Sequence, residues 1–236
     1  MKNMKIMFLI VLLAAAPFFA FTQQYEAESD FKVTVLQDNK SVLINEYTGS
    51  KQSINIPPQI KQLPVTQIGE NAFQNKGLKS VSIPDSVTFI GPRAFMNNQL
   101  TSIIIPNSVI RISHRAFMNN QLTSVNIGSS VTHIENSAFE NNQLTTVTIP
   151  DSVSQIFESA FAGNKLTAVI ISDDVIYIRN EAFLRNQLTK LTIGRNIRLD
   201  DRAFDNQFTR FYNTTGRKAG TYVFINNLWS LETSEN

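Results

Sequence analysis

Seven Ala-Phe pairs recur through the chain: Ala72-Phe73, Ala94-Phe95, Ala116-Phe117, Ala138-Phe139, Ala160-Phe161, Ala182-Phe183 and Ala203-Phe204. Five intervals are 22 residues and the last is 21. A fixed period in this range belongs to stacked-repeat chains, because one such unit cannot bury its own apolar face and must lean on its neighbours. The 236 residues are therefore read as a one-dimensional stack rather than one globular core.

Each unit resolves into four pieces. A strand of pattern L-x-x-V-x-I comes first, as at Leu78 to Ile83, Leu100 to Ile105 and Leu122 to Ile127, with alternation pointing Val and Ile inward. Proline or glycine then stops the strand in most units, at Pro84, Pro106, Gly128, Pro150 and Gly194, with Ser172 as the exception. A short segment with Val and Ile three apart follows, as at Val87 and Ile90. Ala-Phe closes the unit on a tight turn or a single helical turn. Stacking places Phe on Phe in an interior spine, each ring contributing about 1.5–3 kcal/mol of burial. A second column is polar: Asn98, Asn120, Asn142, Asn164, Asn186 and Asn206. An Asn at a repeated turn can bond a carbonyl and an N–H of the neighbouring coil, which favours a structural duty over a row of ligand-binding amides.

The expected fold is an α/β repeat solenoid with a parallel β-sheet on one face, short turns or helical turns on the other and β-hairpin caps at both ends. Residues 1–22 have the order of a signal peptide: Lys2 and Lys5, an apolar run from Ile6, then polar Gln23. Its apolar stretch is short for a membrane-spanning helix, which wants about 20 residues. Residues 23–53 read as an N-terminal hairpin cap, with Phe31 to Val35 and Val42 to Ile44 flanking a turn at Asp38-Asn39-Lys40. Residues 54–207 form the array, whose first unit carries an insertion around Lys61 to Pro64. Residues 208–236 read as a C-terminal β cap: Phe208 to Asn213 in the next strand register, Thr221 to Ile225 as a final strand, and Trp229 covering the last coil.

The unit L-x-x-V-x-I-P-x-x-V-x-x-I-x-x-x-A-F, carried by Leu78 to Phe95 and recurring through Phe183, resembles the BspA-type leucine-rich repeat family, an extracellular and surface-associated class. The likeness spans Ile54 to Asn213 and extends to flanks such as Gly216 to Tyr222. It implies a leucine-rich-repeat-like parallel solenoid and, as in several members, adhesion to host proteins or other cells. It carries over no catalytic residue. Two departures stand out: the family commonly has Cys where Asn98 and its equivalents stand, and its unit is one residue longer. An amide in place of a thiol keeps the internal bonding and leaves the expected fold unchanged.

Function is sought in what the repeat leaves free. Of 21 basic residues, Lys2 and Lys5 lie in the export segment, leaving 19 against 19 acidic ones. A neutral chain offers no electrostatic case for nucleic acid or an anionic membrane. Cysteine is absent, which excludes disulfides, thiolate metal sites and a lipid-bearing cysteine. Seven of the 17 phenylalanines are locked to the repeat beat and read as core. His114 and His133 fall in variable, solvent-facing columns without partners for catalysis or metal binding. Asp200-Asp201 and Asp174 read as solvated loop acids, Leu63 to Gln67 as loop sequence rather than a sorting signal, and Asn213-Thr214-Thr215 as a sequon relevant only in a eukaryotic secretory pathway. No cofactor or metal is expected.

The outward face of the sheet remains. Its columns are Ser80, Ser102, Ser124, Thr146, Ala168, Lys190 and Ser82, Ile104, Asn126, Thr148, Ile170, Thr192. From these, Ser102, Ile104, Ser124, Asn126, Thr146, Thr148, Ala168, Ile170, Lys190 and Thr192 are the candidate partner-binding residues. A flat, hydroxyl-rich face suits an extended protein segment or a glycan, contacted by many modest hydrogen bonds. The expected protein is a monomeric, exported, non-enzymatic binding or adhesion module, secreted, periplasmic or held at the cell surface. The competing expectation is an envelope scaffold that self-associates through its ends and has no external ligand.

Overall fold

A computed structural model describes residues 24–37 and 39–232; the expected signal segment and Asp38 of the first turn lie outside them. One 3-10 turn, Glu28–Asp30, leads into an antiparallel hairpin of β1 (Phe31–Val35) and β2 (Val42–Tyr47). β3 (Ser53–Asn55) begins the array. A second hairpin, β4 (Gln59–Ile60) and β5 (Leu63–Ile68), turns through Lys61 and Gln62, whose φ angles of 54° and 62° give the left-handed turn that two-residue hairpins need. Leu63 to Gln67, expected as loop, is therefore strand. β5 lies between β2 and the first array strand on its side, so two neighbours order it.

Two short strands alternate in every later coil. One set is β6 (Ser80–Ser82), β8 (Ser102–Ile104), β10 (Ser124–Asn126), β12 (Thr146–Ile149), β14 (Ala168–Ile171) and β16 (Lys190–Ile193). The other is β7 (Phe89–Ile90), β9 (Arg111–Ile112), β11 (His133–Ile134), β13 (Gln155–Ile156), β15 (Tyr177–Ile178) and β17 (Arg198–Leu199). The chain ends in helix α1 (Asn206–Thr214) and a hairpin of β18 (Gly220–Ile225) and β19 (Leu228–Leu231).

The solenoid thus has two parallel ladders where one was expected. The Val-x-x-Ile segments, anticipated only as apolar pieces, build a continuous ladder from β5 through β17 that joins the N-terminal hairpin. Each supplies only two residues, too few to announce a strand by alternation. The expected sheet of L-x-x-V-x-I strands is the discontinuous one. It divides into β3-β6, β8-β10 and β12-β14-β16, the last extended antiparallel by β18 and β19.

The turn side is bonded as well. Phe73, Phe95 and Phe117 N–H each donate to the following coil's alanine carbonyl at 2.8 Å, and residues 71 and 75 make matching bonds to Pro92 and Met96. With a ladder on every side, little backbone is left unpaired. The tight turn places two residues per coil in the left-handed region, such as Arg93 and Asn97 at φ 55° and 57°. Asn tolerates that region best, which accounts for Asn75, Asn97, Asn119 and Asn141.

The phenylalanine spine is present throughout. Ring centroids from Phe73 to Phe204 follow one another at 4.8 to 5.4 Å with nearly parallel planes. Tyr47 stacks on Phe73 at one end, and Phe208 meets Phe204 edge-on at the other. The polar column also forms as expected from Asn98 to Asn186. Asn142 donates to the carbonyls of Phe117 and Phe139 and accepts from Leu122 N–H, so each amide ties two coils together. Asn206 departs from that column: it is exposed and opens α1. Residues 208–213 are helical, not a strand. The Asp205 carboxylate accepts from Phe208 N–H at 2.6 Å as N-cap, and Phe208 and Tyr212, four apart, bury one face. Trp229 is buried against Phe208 and Phe224, in the covering position expected of it.

Candidate functional site

The first set of strands carries the candidate face. Parallel pairing aligns Ser124 with Ser102 and Asn126 with Ile104, then Thr146, Ala168 and Lys190, and Thr148, Ile170 and Thr192. The two outward columns therefore exist in register within each ladder segment. Val and Ile between them turn into the core, which points the candidate side chains outward. Ser102, Ile104, Ser124, Asn126, Thr146, Thr148, Ile170 and Lys190 are exposed, while Ala168 and Thr192 are half-buried. Ile104 and Ile170 are 68% and 50% exposed, the two large apolar points on a mainly polar surface. Lys190 is its only charged member and faces Glu232 at 3.5 Å. At the C-terminal end Thr192 meets Thr221 of β18 at 2.9 Å, so the cap borders the face.

The face is not one sheet. Between β10 and β12 the ladder is interrupted, and an open depression of about 330 Å³ lies there, lined by residues 124–127 and 146–148 together with Pro150. Repeat reasoning assumes equal coils and gave no sign of it. The visible cue is the strand-stop column, where Gly128 stands between Pro106 and Pro150.

Other titratable groups do not converge. The His133 ring sits 6.0 Å from Phe157 with Nδ1 2.8 Å from Thr132 Oγ1. His114 receives the Glu135 carboxylate at its backbone N–H rather than its ring, and burial, with Arg115 and Arg93 nearby, holds its pKa below the ordinary value. Both histidines are half-buried rather than fully solvent-facing. Asp200 is engaged by Asn180 N–H and Arg179, not by Asp174. Among the described residues no three His, Asp or Glu side chains gather as a metal set. No helix among them is long and apolar enough to cross a membrane.

A family model described as BspA type Leucine rich repeat region matches in six copies over residues 44–164 and 88–210. No curated protein matches. Among solved structures, a leucine-rich repeat protein of T. pallidum is 27% identical, with a TM-score of 0.65 over 74% of this chain and 83% of its own. A leucine-rich cell surface protein of Faecalibacterium prausnitzii is 26% identical, with a TM-score of 0.63 over 90% of this chain and 59% of its own. A leucine-rich repeat protein of Bacteroides ovatus, 22% identical with a TM-score of 0.59 over 73% and 54%, shares the fold.

Proposed function

The chain belongs to the BspA-type leucine-rich repeat family, and from that premise we propose that it is an exported, non-enzymatic module that binds a macromolecule, protein or glycan, through the face of β8, β10, β12, β14 and β16. The observation that carries this reading is the face itself: two registered columns of exposed hydroxyl, amide and isolated Ile side chains on a framework tied coil to coil by buried Asn. A rigid surface loses little order on binding, so many weak contacts sum to useful affinity. The cell-surface description of the F. prausnitzii relative supports an adhesive or host-interaction setting at the cell exterior. The scaffold alternative asks for open ends, and here Tyr47 and Phe208 cover both ends of the spine.

The test is capture of host extracellular proteins and neighbouring-cell surfaces by the chain, repeated with Ser124, Asn126, Thr146 and Thr148 changed together to Lys or Glu. Binding is expected to be lost on the four-site variant. Persistence of every interaction would refute the sheet-face assignment.

A further inference from the structure

The interruption between β10 and β12 is a built feature of the corner that precedes it. Gly128 packs so closely that a Cβ there would collide with the Pro106 carbonyl. Coil and coil thus draw together on that side, and β8 pairs with β10. On the other side Pro150 brings a ring to the same corner, and no pairing forms. Two other corners follow the same pattern: Gly194 crowds Ser172 and Asp173 where β14 meets β16, whereas Pro106 stands at the other interruption, between β6 and β8. Pro84, whose coil pairs β3 with β6, and Ser172, whose coil pairs β12 with β14, are the exceptions.

Three consequences meet in the depression. The bond that Ile105 N–H makes to the Asn126 carbonyl at 2.8 Å has no counterpart from Ile127 to Thr148 among the described residues, so facing strand edges carry unmatched donors and acceptors. Val125 is half-buried where Ile103, Val147 and Val169 are buried, which leaves an apolar wall beside those edges. No charged side chain lines the space, and Ser124, Asn126, Thr146 and Thr148 form its rim.

From this we infer that the β10–β12 depression is a subsite for an acetamido group, as carried by N-acetylhexosamines of cell-surface glycans. This inference deepens the sheet-face reading and rests on it. A secondary amide holds its N–H and C=O on opposite edges, as a peptide unit does, and so can bond both strands at the mouth of the seam. Its methyl meets Val125, Ile127 and Pro150, and the sugar hydroxyls meet the rim. Lack of charge on the lining turns away anionic and cationic ligands, which would lose solvation without a counter-charge. At about 330 Å³ the space is at the lower end for ligand sites and suits one sugar residue at a time. The protein already uses the same chemistry inside, where each Asn amide bridges two coils.

The full chain is titrated with N,N′-diacetylchitobiose, with its de-N-acetylated form and with cellobiose, followed by amide NMR shifts. The acetylated sugar is expected to bind at least about tenfold tighter than both others, with shifts centred on residues 124–127 and 146–150. Val125→Phe, which fills the depression, is expected to abolish this binding; Asn126→Lys, at an exposed rim position, tests the same point without disturbing the core. Arg210→Gln, exposed on α1 and away from the sheet face, is expected to leave it unchanged. Equal binding of all three sugars, no binding, or shifts elsewhere would overturn the acetamido assignment. If the four-site variant still abolished partner capture, the sheet-face reading would stand without it; if capture also persisted, both would fall.

Discussion

Each buried amide in the Asn column satisfies several backbone groups at once, which makes single residues measurable in an otherwise redundant stack. Asn142→Ala leaves Leu122 N–H without its acceptor, while the Phe117 and Phe139 carbonyls lose one donor and keep Asn120 and Asn164, at roughly 1–3 kcal/mol for the N–H if it finds no water. A clear loss in denaturant midpoint is expected; a midpoint within error of the parent would show that the column is dispensable. Tyr212 gives a pH-dependent counterpart. Its hydroxyl donates to the Gly194 carbonyl at 2.7 Å, and burial pushes its pKa from 10.0 up to about 12. Because the folded value is the higher one, the stabilisation is complete below pH 10 and declines as pH rises towards 12. Tyr212→Phe is expected to lower stability at pH 8 by about 0.5–1.5 kcal/mol and to flatten the alkaline decline, as read by chemical denaturation across pH. Both Asn142 and the phenylalanine column were legible in sequence because identical residues at one period must share an environment. Tyr212 was not, since it lies beyond the last repeat and has no equivalent to be compared with.

At the scale of elements, legibility followed length and repetition. The six L-x-x-V-x-I strands and the terminal hairpins alternate over enough residues to be recognised, and they appear as β6, β8, β10, β12, β14 and β16, with β1-β2 and β18-β19. The two-residue strands of the second ladder do not, because their partners lie a coil away and a pair of residues has no period of its own. Residues 208–213 misled for a related reason: their spacing from Phe204 continued the repeat, yet the Asp205 cap and the Phe208/Tyr212 pair specify a helix. The candidate face was legible as columns but not as a broken sheet, since the break lies at a backbone corner, with Gly128 close against Pro106 on one side and the Pro150 ring on the other, rather than at any outward side chain. Gly128→Ala isolates that cause. Its methyl meets Pro106 backbone with no flexible side chain to give way, so the coil must shift, at about 1–3 kcal/mol. A drop in melting temperature with changed amide shifts in β8 and β10 is the expected result, and an unchanged protein would remove the explanation offered for the seam.

Across the whole molecule, coils pack mainly on their neighbours, with the Arg185–Glu140 ion pair reaching one coil further, so stability is closer to a sum of interfaces than to the property of one core. An interior coil therefore depends on both faces of its ring. Phe139 stacks on Phe117 at 5.4 Å and Phe161 at 5.3 Å, fully buried between them. Phe139→Ala is expected to cost about 3–5 kcal/mol, against a much smaller loss if the spine were loosely packed. The terminal coil is different, because one face of its ring rests on the cap alone. Phe204 is covered by Phe208, and β16 is continued by β18, so α1 and the last hairpin together close an apolar surface and an open strand edge. Ending the chain at Asp205 would expose both to solvent, the combination that promotes edge-to-edge association. Such a chain is expected to keep parallel-β circular dichroism while forming concentration-dependent oligomers in sedimentation, because the inner interfaces do not need the cap. A monomeric truncated chain with unchanged melting would mean that the last coil is self-sufficient and that the C-terminal segment serves something other than closure.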